Sequence, residues 1–254
     1  MRRILRPIQI IYSIYAMAVF VLLMFIAFPF VILASVFPKI TRGNIIYYIV
    51  TFWSDAAMFC WLMPHRNFFE APHDPKHPVI FVFNHISYLD IPILLKTFRY
   101  QHIRVLGKAE MSKIPIFGFM YRSAAIMVDR SSAEGRANSV KELKSTLEKN
   151  ISVVMAPEGT FNMTNKPLKD FYDGAFRIAI ETQTPIKPVL LLDAYDRLNY
   201  RSVFSFTPGK SRSIYLEEVD VKGLQLSDVE ALKQKVYSIM ESGLIKYKAS
   251  WIGA

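Results

Sequence analysis

Between Pro7 and Pro38 the chain carries no charged residue, a run of 32 positions. A helix that spans a bilayer needs about 20. The centre of the run, Ile14 to Phe28, is apolar on every side of a helix, so it requires lipid or deep burial. A secretory signal has a shorter apolar region, about 7–15 residues, and Ala34-Ser35-Val36 is a poor cleavage site. Arg2, Arg3 and Arg6 precede the run, and Lys39 and Arg42 follow it. Basic flanks favour the cytoplasmic side, and one straight span cannot put both there. A re-entrant pair of helices bent near Pro29 can, because proline interrupts the helical ladder. A second apolar stretch, Ile45 to Met63, carries Tyr47, Tyr48, Trp53 and Trp61, residues suited to the headgroup region. Asp55 argues against a full span there and for an interfacial helix. Residues 1–65 are therefore expected to form a membrane anchor, as one span or a re-entrant helix pair, with 66–254 as a separate domain.

The remaining composition narrows the partners. Lys plus Arg number 31 against 21 Asp plus Glu, a formal net charge of +10. With 52% hydrophobic and 20% charged residues the chain is not disordered. A single cysteine, Cys60, excludes a disulfide scaffold and a Cys-rich zinc module. Apolar and basic together point to anionic membrane or nucleic acid; the anchor and the lack of a nucleic-acid module disfavour the latter. The basic residues from Lys96 to Arg136 suit lipid headgroups and the phosphates of an acyl donor. His73 and His77 have a metal-like spacing, but Pro75 between them prevents a helical turn, and no metal is expected.

Beyond the anchor, hydrophobic patterning alternates. Residues 66–78, with Pro72, Pro75 and Pro78, read as a loop. Strands are expected at 79–83, 103–106, 124–128, 151–156, 186–192, 202–206 and 214–219. Helices are expected at 91–97, 111–121, 132–149 (capped by Ser131 or Ser132), 174–181 and from a capping box, Ser227 to Glu230, to about Lys246. His65 and His102 read as loop or surface residues. The pattern predicts an α/β domain with a largely parallel sheet flanked by helices.

In such sheets, sites lie beyond the carboxyl ends of strands. The strand 79–83 runs into Asn84-His85, and Asp90 follows His85 by five residues, at the start of a helix that can turn it back toward the imidazole. A carboxylate holding one ring nitrogen leaves the other free as a general base. A second cluster, Pro157-Glu158-Gly159-Thr160, follows the strand 151–156. Its glycine permits close backbone approach to a ligand, and its threonine offers a hydroxyl. Gly107-Lys108 with Glu110, Pro115 and Gly118 and closing at Asp129-Arg130 forms a third, and Pro185 to Val189 a fourth. No Ser or Cys nucleophile stands in an elbow beside His85, so direct attack by an acceptor is simpler than an acyl-enzyme.

These four motifs, in this order over residues 79–192, resemble the glycerolipid acyltransferases, specifically the 1-acylglycerol-3-phosphate acyltransferase family. The resemblance implies transfer of an acyl chain from a thioester of coenzyme A or acyl carrier protein to the hydroxyl of a lysophospholipid, with no other cofactor. It assigns His85 as the base and Asp90 as its orienting carboxylate. Asn84, Lys108, Arg130, Glu158, Gly159 and Thr160 become substrate-binding positions. It also implies a location at the inner cell membrane, with the site facing the cytoplasm. The sequence departs from the pattern at one place: Phe161 stands where the family carries an arginine thought to grip the acceptor phosphate. Lys166 and Lys169 can substitute as point charges, or the acceptor is a lysolipid without phosphate. A non-catalytic lipid-binding protein of the same fold is the alternative of another class, which the His85–Asp90 pair disfavours.

Overall fold

A computed structural model describes residues 2–114, 116–128 and 133–253. Two long helices open the chain, α1 (Arg2–Ala34) and α2 (Lys39–Cys60). The strands are β1 (His65–Phe69), β2 (Ile80–Phe83), β3 (Ile103–Lys108), β4 (Ala125–Val128), β5 (Ser152–Met155), β6 (Ile186–Leu191) and β7 (Ser211–Tyr215). They form one sheet in the order β1-β7-β6-β2-β5-β3-β4. The five strands from β6 to β4 run parallel; β7 is antiparallel to β6 and parallel to β1. Strands β2, β5 and β6 are buried along their whole length, which explains their unbroken apolar runs. The helices α3 (Asp90–Thr97) and α4 (Phe117–Ala124) lie under α2 on one side of the sheet. On the other lie α5 (Ala133–Leu147), α6 (Gly174–Thr182) and α8 (Val229–Lys246), with the single turn α7 (Ala194–Arg197) following β6.

The N-terminal helices differ from expectation in where they bend. Helix α1 runs unbroken through Pro29, and the reversal falls at residues 35–38. Proline deletes one hydrogen bond from the ladder, and an apolar helix tolerates that when neighbours pack around it. Here Ala27, Val31 and Ala34 are buried on both sides of Pro29. Contacts with α2, with Trp61 just after it and with the domain extend along α1. The Gln9 amide donates to Ser205 O at 3.1 Å, Trp61 Nε1 donates to Ala16 O at 3.0 Å, Phe20 meets Trp53 edge-on at 5.2 Å, and Phe28 meets Phe119 at 5.9 Å. Helix α2 is pinned to the end of α3 by Asp55, which pairs with Lys96 of α3 at 2.6 Å and with Arg99, two residues past it, at 2.8 Å.

Three further expectations change. The stretch 66–78 contains most of β1, which reads weakly because it is a polar edge strand, exposed at alternate positions; His65, its first residue, is held by Ser211 and Asn67 rather than free in a loop. Residues 202–206 form a short 3₁₀ turn instead of a strand; their apolar residues cover α1, with Phe206 against Tyr12 and Trp61. The final strand falls at 211–215, earlier than 214–219. The capping box before α8 is made by Gln225 and Asp228, not by Ser227 and Glu230. The serines expected to cap α5, Ser131 and Ser132, lie outside the described residues.

The two faces of α1 differ sharply. Val31 is fully buried and Leu33 is 67% exposed. Val31→Asn places an amide with no partner in the core and is expected to cost about 1–3 kcal/mol, whereas Leu33→Asn changes stability by no more than about 0.5 kcal/mol. Denaturation of both variants in detergent checks this; equal effects would mean that α1 does not pack on the domain.

Candidate active site

The carboxyl ends of β2, β5 and β3 lie side by side, and each delivers one motif. Strand β2 ends at Phe83 and delivers Asn84 and His85. The Asn84 amide donates to Leu191 O at 3.1 Å and its oxygen accepts from Leu191 N at 2.8 Å. The side chain thus extends the β2–β6 ladder by one step, and both its polar ends are committed to main chain. At the next residue the chain leaves the sheet and His85 turns outward, its side chain 27% exposed.

Residues 86–89 double back, so that Asp90, the first residue of α3, meets the imidazole. His85 Nδ1 lies 2.6 Å from Asp90 Oδ2. The same oxygen accepts the backbone N–H groups of Ile86 at 2.9 Å and Ser87 at 3.1 Å. Two backbone N–H donors commit this oxygen as an acceptor, so its contact with the ring places the His85 proton on Nδ1. The lone pair is then on Nε2, which bonds to nothing among the described residues and faces a cavity. Ser87, the hydroxyl closest in sequence, donates its proton to the Leu198 carbonyl and accepts from Leu89 N. It is therefore not presented to His85 as a nucleophile.

Strand β5 delivers the second motif. Glu158 is fully buried beneath the turn. Its Oε1 accepts the His85 N–H and its Oε2 the Lys169 N–H, each at 2.9 Å. Burial pushes its carboxyl up to about 8, against the pull of those two donors. Gly159, at φ +68°, takes the left-handed conformation that glycine accepts without strain and lines the cavity. Thr160 is exposed, and its Oγ1 accepts from Lys169 Nζ at 2.9 Å. The Phe161 ring stands edge-on to His85, centroids 4.4 Å apart, and to Tyr88 at 4.9 Å. Lys108 is the last residue of β3, paired with Val128; its side chain, and the whole of Arg130, lie outside the described residues.

Asn162 was not singled out by sequence. It is buried, and its N–H donates to the His85 carbonyl at 2.8 Å. Its side chain ties the loop that follows: Nδ2 donates to Lys166 O and Pro167 O, and Oδ1 accepts from Thr164 N. An Asn opening the polar, proline-ended stretch 162–167 is a turn signal that could have flagged it.

The cavity over His85 measures roughly 1200 Å³ with its mouth and is bounded by Tyr88, Ile91, Gly107 and Phe161. It shares Ile91, Leu94, Val105 and Tyr121 with a second, almost wholly apolar cavity of about 770 Å³. That second space reaches Phe20 and Met24 of α1 and Val50 and Trp53 of α2. Gly107 is required where the two meet, because a Cβ there would lie 1.6 Å from the Tyr121 hydroxyl oxygen. The site thus offers a base in a cavity that shares one wall with an almost wholly apolar space.

The raised Glu158 value has a consequence for stability. A carboxyl whose pKa rises on folding contributes stability that is full below its unfolded value, near 4.5, and lost as pH climbs through about 8. Glu158→Gln keeps the shape but turns an NH₂ group toward one of the two backbone donors, at a cost of about 1–3 kcal/mol at low pH. Urea denaturation at pH 5 and at pH 8.5 should show the gap between variant and wild type closing as pH rises. A constant gap would mean that the buried carboxyl does not take up a proton.

A family model described as acyltransferase matches residues 65–192. The chain is 30% identical over 139 residues to a 1-acyl-sn-glycerol-3-phosphate acyltransferase of Helicobacter pylori, covering 54% of this chain and 58% of that protein. It is 28% identical over 166 residues to the human 1-acyl-sn-glycerol-3-phosphate acyltransferase beta, covering 65% and 59%. The chain spans about half to three-fifths of the length of the curated relatives it matches. In fold it is similar to the crystal structure of the 1-acyl-sn-glycerophosphate (LPA) acyltransferase, PlsC, from Thermotoga maritima, with a TM-score of 0.73, 24% identity and 99% coverage of both chains. With half of its residues matched, and all four motifs inside the matched segment, the chain belongs to the acyltransferase family.

Proposed function

We propose that this protein transfers a fatty acyl group from an acyl thioester to the free hydroxyl of 1-acylglycerol-3-phosphate, giving phosphatidate. The observation that carries this reading is the His85–Asp90 pair set in a cavity that shares a wall with a second, apolar one. The relatives described above, 1-acyl-sn-glycerol-3-phosphate acyltransferases, agree with it. The acyl chain of the donor, a thioester of coenzyme A or of acyl carrier protein, lies in that apolar space with its carbonyl at His85. His85 Nε2 takes the proton of the acceptor hydroxyl as that oxygen attacks the thioester carbon. The C–S bond of the tetrahedral adduct then breaks, and the imidazolium returns the proton to the leaving sulfur. Asp90 keeps the tautomer correct and stabilises the imidazolium between the two steps. No acyl-enzyme forms, which agrees with the engagement of Ser87 elsewhere.

The same reading includes the membrane. We propose that residues 1–65 dock the domain of residues 66–254 onto the cytoplasmic face of the cell membrane without crossing it. Helix α1 is about 50 Å long, and its packing against the domain runs from Gln9 to Phe28. A helix so fastened cannot cross a bilayer without dragging the domain's polar surface into hydrocarbon. Its outward side carries Ile11, Leu22, Phe25, Phe30 and Leu33, all more than half exposed, a surface far more apolar than water tolerates on a soluble protein. Laid in the interface, that side meets lipid and brings the mouth of the cavity to its substrates.

Two experiments test these statements. His85→Ala should leave melting temperature and membrane binding unchanged and lower turnover of lysophosphatidate by about 10²–10⁴-fold; near-normal turnover would remove the mechanism. Replacing Phe25, Phe30 and Leu33 together by Ser should abolish co-sedimentation with anionic vesicles while the melting temperature in detergent holds. Undiminished vesicle binding would show that another surface docks.

A further inference from the structure

We infer that the acyl tail already present on the acceptor lies in a third cavity, a cleft between α1 and residues 198–206, and that Tyr88 meets the ester joining that tail to its glycerol. This rests on the acyl-transfer reading above and makes the chain of the lysolipid, not only its hydroxyl, a recognised part of the substrate. The cleft measures about 550 Å³ with its mouth. Ala16, Met17, Trp61, Leu198 and Val203 line it together with Tyr88, and no charged side chain does. The indole N–H in its wall is committed, since Trp61 Nε1 donates to Ala16 O at 3.0 Å. Such a lining suits an alkyl chain and rejects a phosphate.

The walls are fastened to one another and to the base. The Ser87 hydroxyl donates to the Leu198 carbonyl, which ties one wall to the turn that carries His85 and Asp90. Ser13 Oγ accepts the Phe206 N–H at 3.2 Å, and the Phe206 ring stands edge-on to Trp61 at 5.1 Å. The same wall is thereby tied to α1 and to the residue just past α2. At one end the cleft meets the reaction cavity, because Tyr88 lines both. At the other, Met17 and Val203 are each about half exposed, and Met17 stands between the exposed Ile14 and Val21, one turn away on either side. A chain in the cleft therefore has the outer side of α1 at one end and the cavity over His85 at the other.

The chemistry requires two such places. Both chains of the product hang from neighbouring oxygens of one glycerol, so at transfer the donor's chain and the acceptor's chain converge on His85. The donor's chain, as proposed above, has the apolar space lined by Val50, Leu94 and Met120. The cleft is a second space, and the Phe20 ring, which lines both, stands between them. Tyr88 adds one polar point at the junction. Its ring is edge-on to Phe161 at 4.9 Å, and its hydroxyl bonds to nothing among the described residues. An O–H donor at the inner end of an apolar cleft matches the ester carbonyl, the polar group at the glycerol end of the acceptor's chain.

The test reads position rather than turnover. A lysophosphatidate with a diazirine at mid-chain is photolysed in phosphatidylcholine–phosphatidylglycerol vesicles carrying the His85→Ala protein, and the labelled residues are mapped. The label should fall on Met17, Leu198 or Val203. A thioether analogue of acyl-coenzyme A with the same group in its chain should label Val50, Leu94 or Met120 instead, and a diazirine phosphatidylcholine only the outer side of α1. Acceptor label confined to that outer side, acceptor label among the donor's residues, donor label in the cleft, or equal labelling of the cleft by phosphatidylcholine would each overturn the assignment. In the otherwise wild-type enzyme, Val203→Trp narrows the cleft and should raise KM for palmitoyl relative to hexanoyl lysophosphatidate about tenfold, the loss of roughly two buried methylenes. Tyr88→Phe should raise KM for ester-linked lysophosphatidate about threefold relative to its ether-linked counterpart. An unchanged chain-length ratio would overturn the cleft, and an unchanged ester-to-ether ratio the role of Tyr88. Cleft labelling in a wild-type protein that transfers no acyl group would uphold the cleft and refute the transfer reading instead.

Discussion

The carboxyl group of Glu158 ties together parts of the chain that are distant in sequence. One oxygen holds the peptide of His85 at the end of β2, and the other holds the peptide of Lys169 in the loop after β5. Asn162 completes the clamp from the other side, its N–H on the His85 carbonyl. The base is thereby fixed through its own backbone rather than through its ring. That leaves the ring free to make one strong contact, with Asp90, and to keep its second nitrogen open. A buried carboxyl serving two backbone donors is costly to bury and costly to break, so the geometry of the catalytic residue and the stability of this corner of the fold are one property.

The N-terminal helices also serve two ends. Their inner faces wall the apolar space, through Phe20 and Met24 of α1 and Tyr47, Val50 and Trp53 of α2. The outer face of α1 is apolar and uncovered. One layer of helix therefore separates that space from whatever the outer face rests upon. Asp55, half-buried, pairs with Lys96 of α3 and with Arg99 just beyond it. The charge that argued against a membrane span from sequence is what staples α2 to the domain.

Much of this was legible from residues alone, and the exceptions have physical causes. The buried strands β2, β5 and β6 announce themselves because both faces are covered, which demands continuous apolar residues. Strands β1 and β7 do not: His65-Arg-Asn-Phe-Phe69 is a polar edge strand, and Ser211-Arg-Ser-Ile-Tyr215, buried between β1 and β6, opens on three polar residues that hide it from an apolar pattern. The closeness of His85 and Asp90 followed from their spacing at a strand-to-helix turn. The place of Glu158 beneath the turn did not, because a glutamate beside a glycine in a motif reads as a ligand contact whether it faces the ligand or braces the loop. Asn162 escaped for a related reason: what it does depends on a carbonyl 77 positions away in the chain, which no local pattern encodes. The bend expected at Pro29 shows the limit of a local rule, since one missing hydrogen bond is outweighed by packing on either side.

The Phe161 position shows how such a site can change without being rebuilt. Its ring stands edge-on to the imidazole and to Tyr88, so the side of the base that faces position 161 is apolar. The apolar surroundings also strengthen the contact between Nδ1 and Asp90, because fewer polar groups compete for either partner. In this arrangement the ring gives the imidazole an apolar wall, while the peptide of His85 is fixed by the buried Glu158 carboxyl.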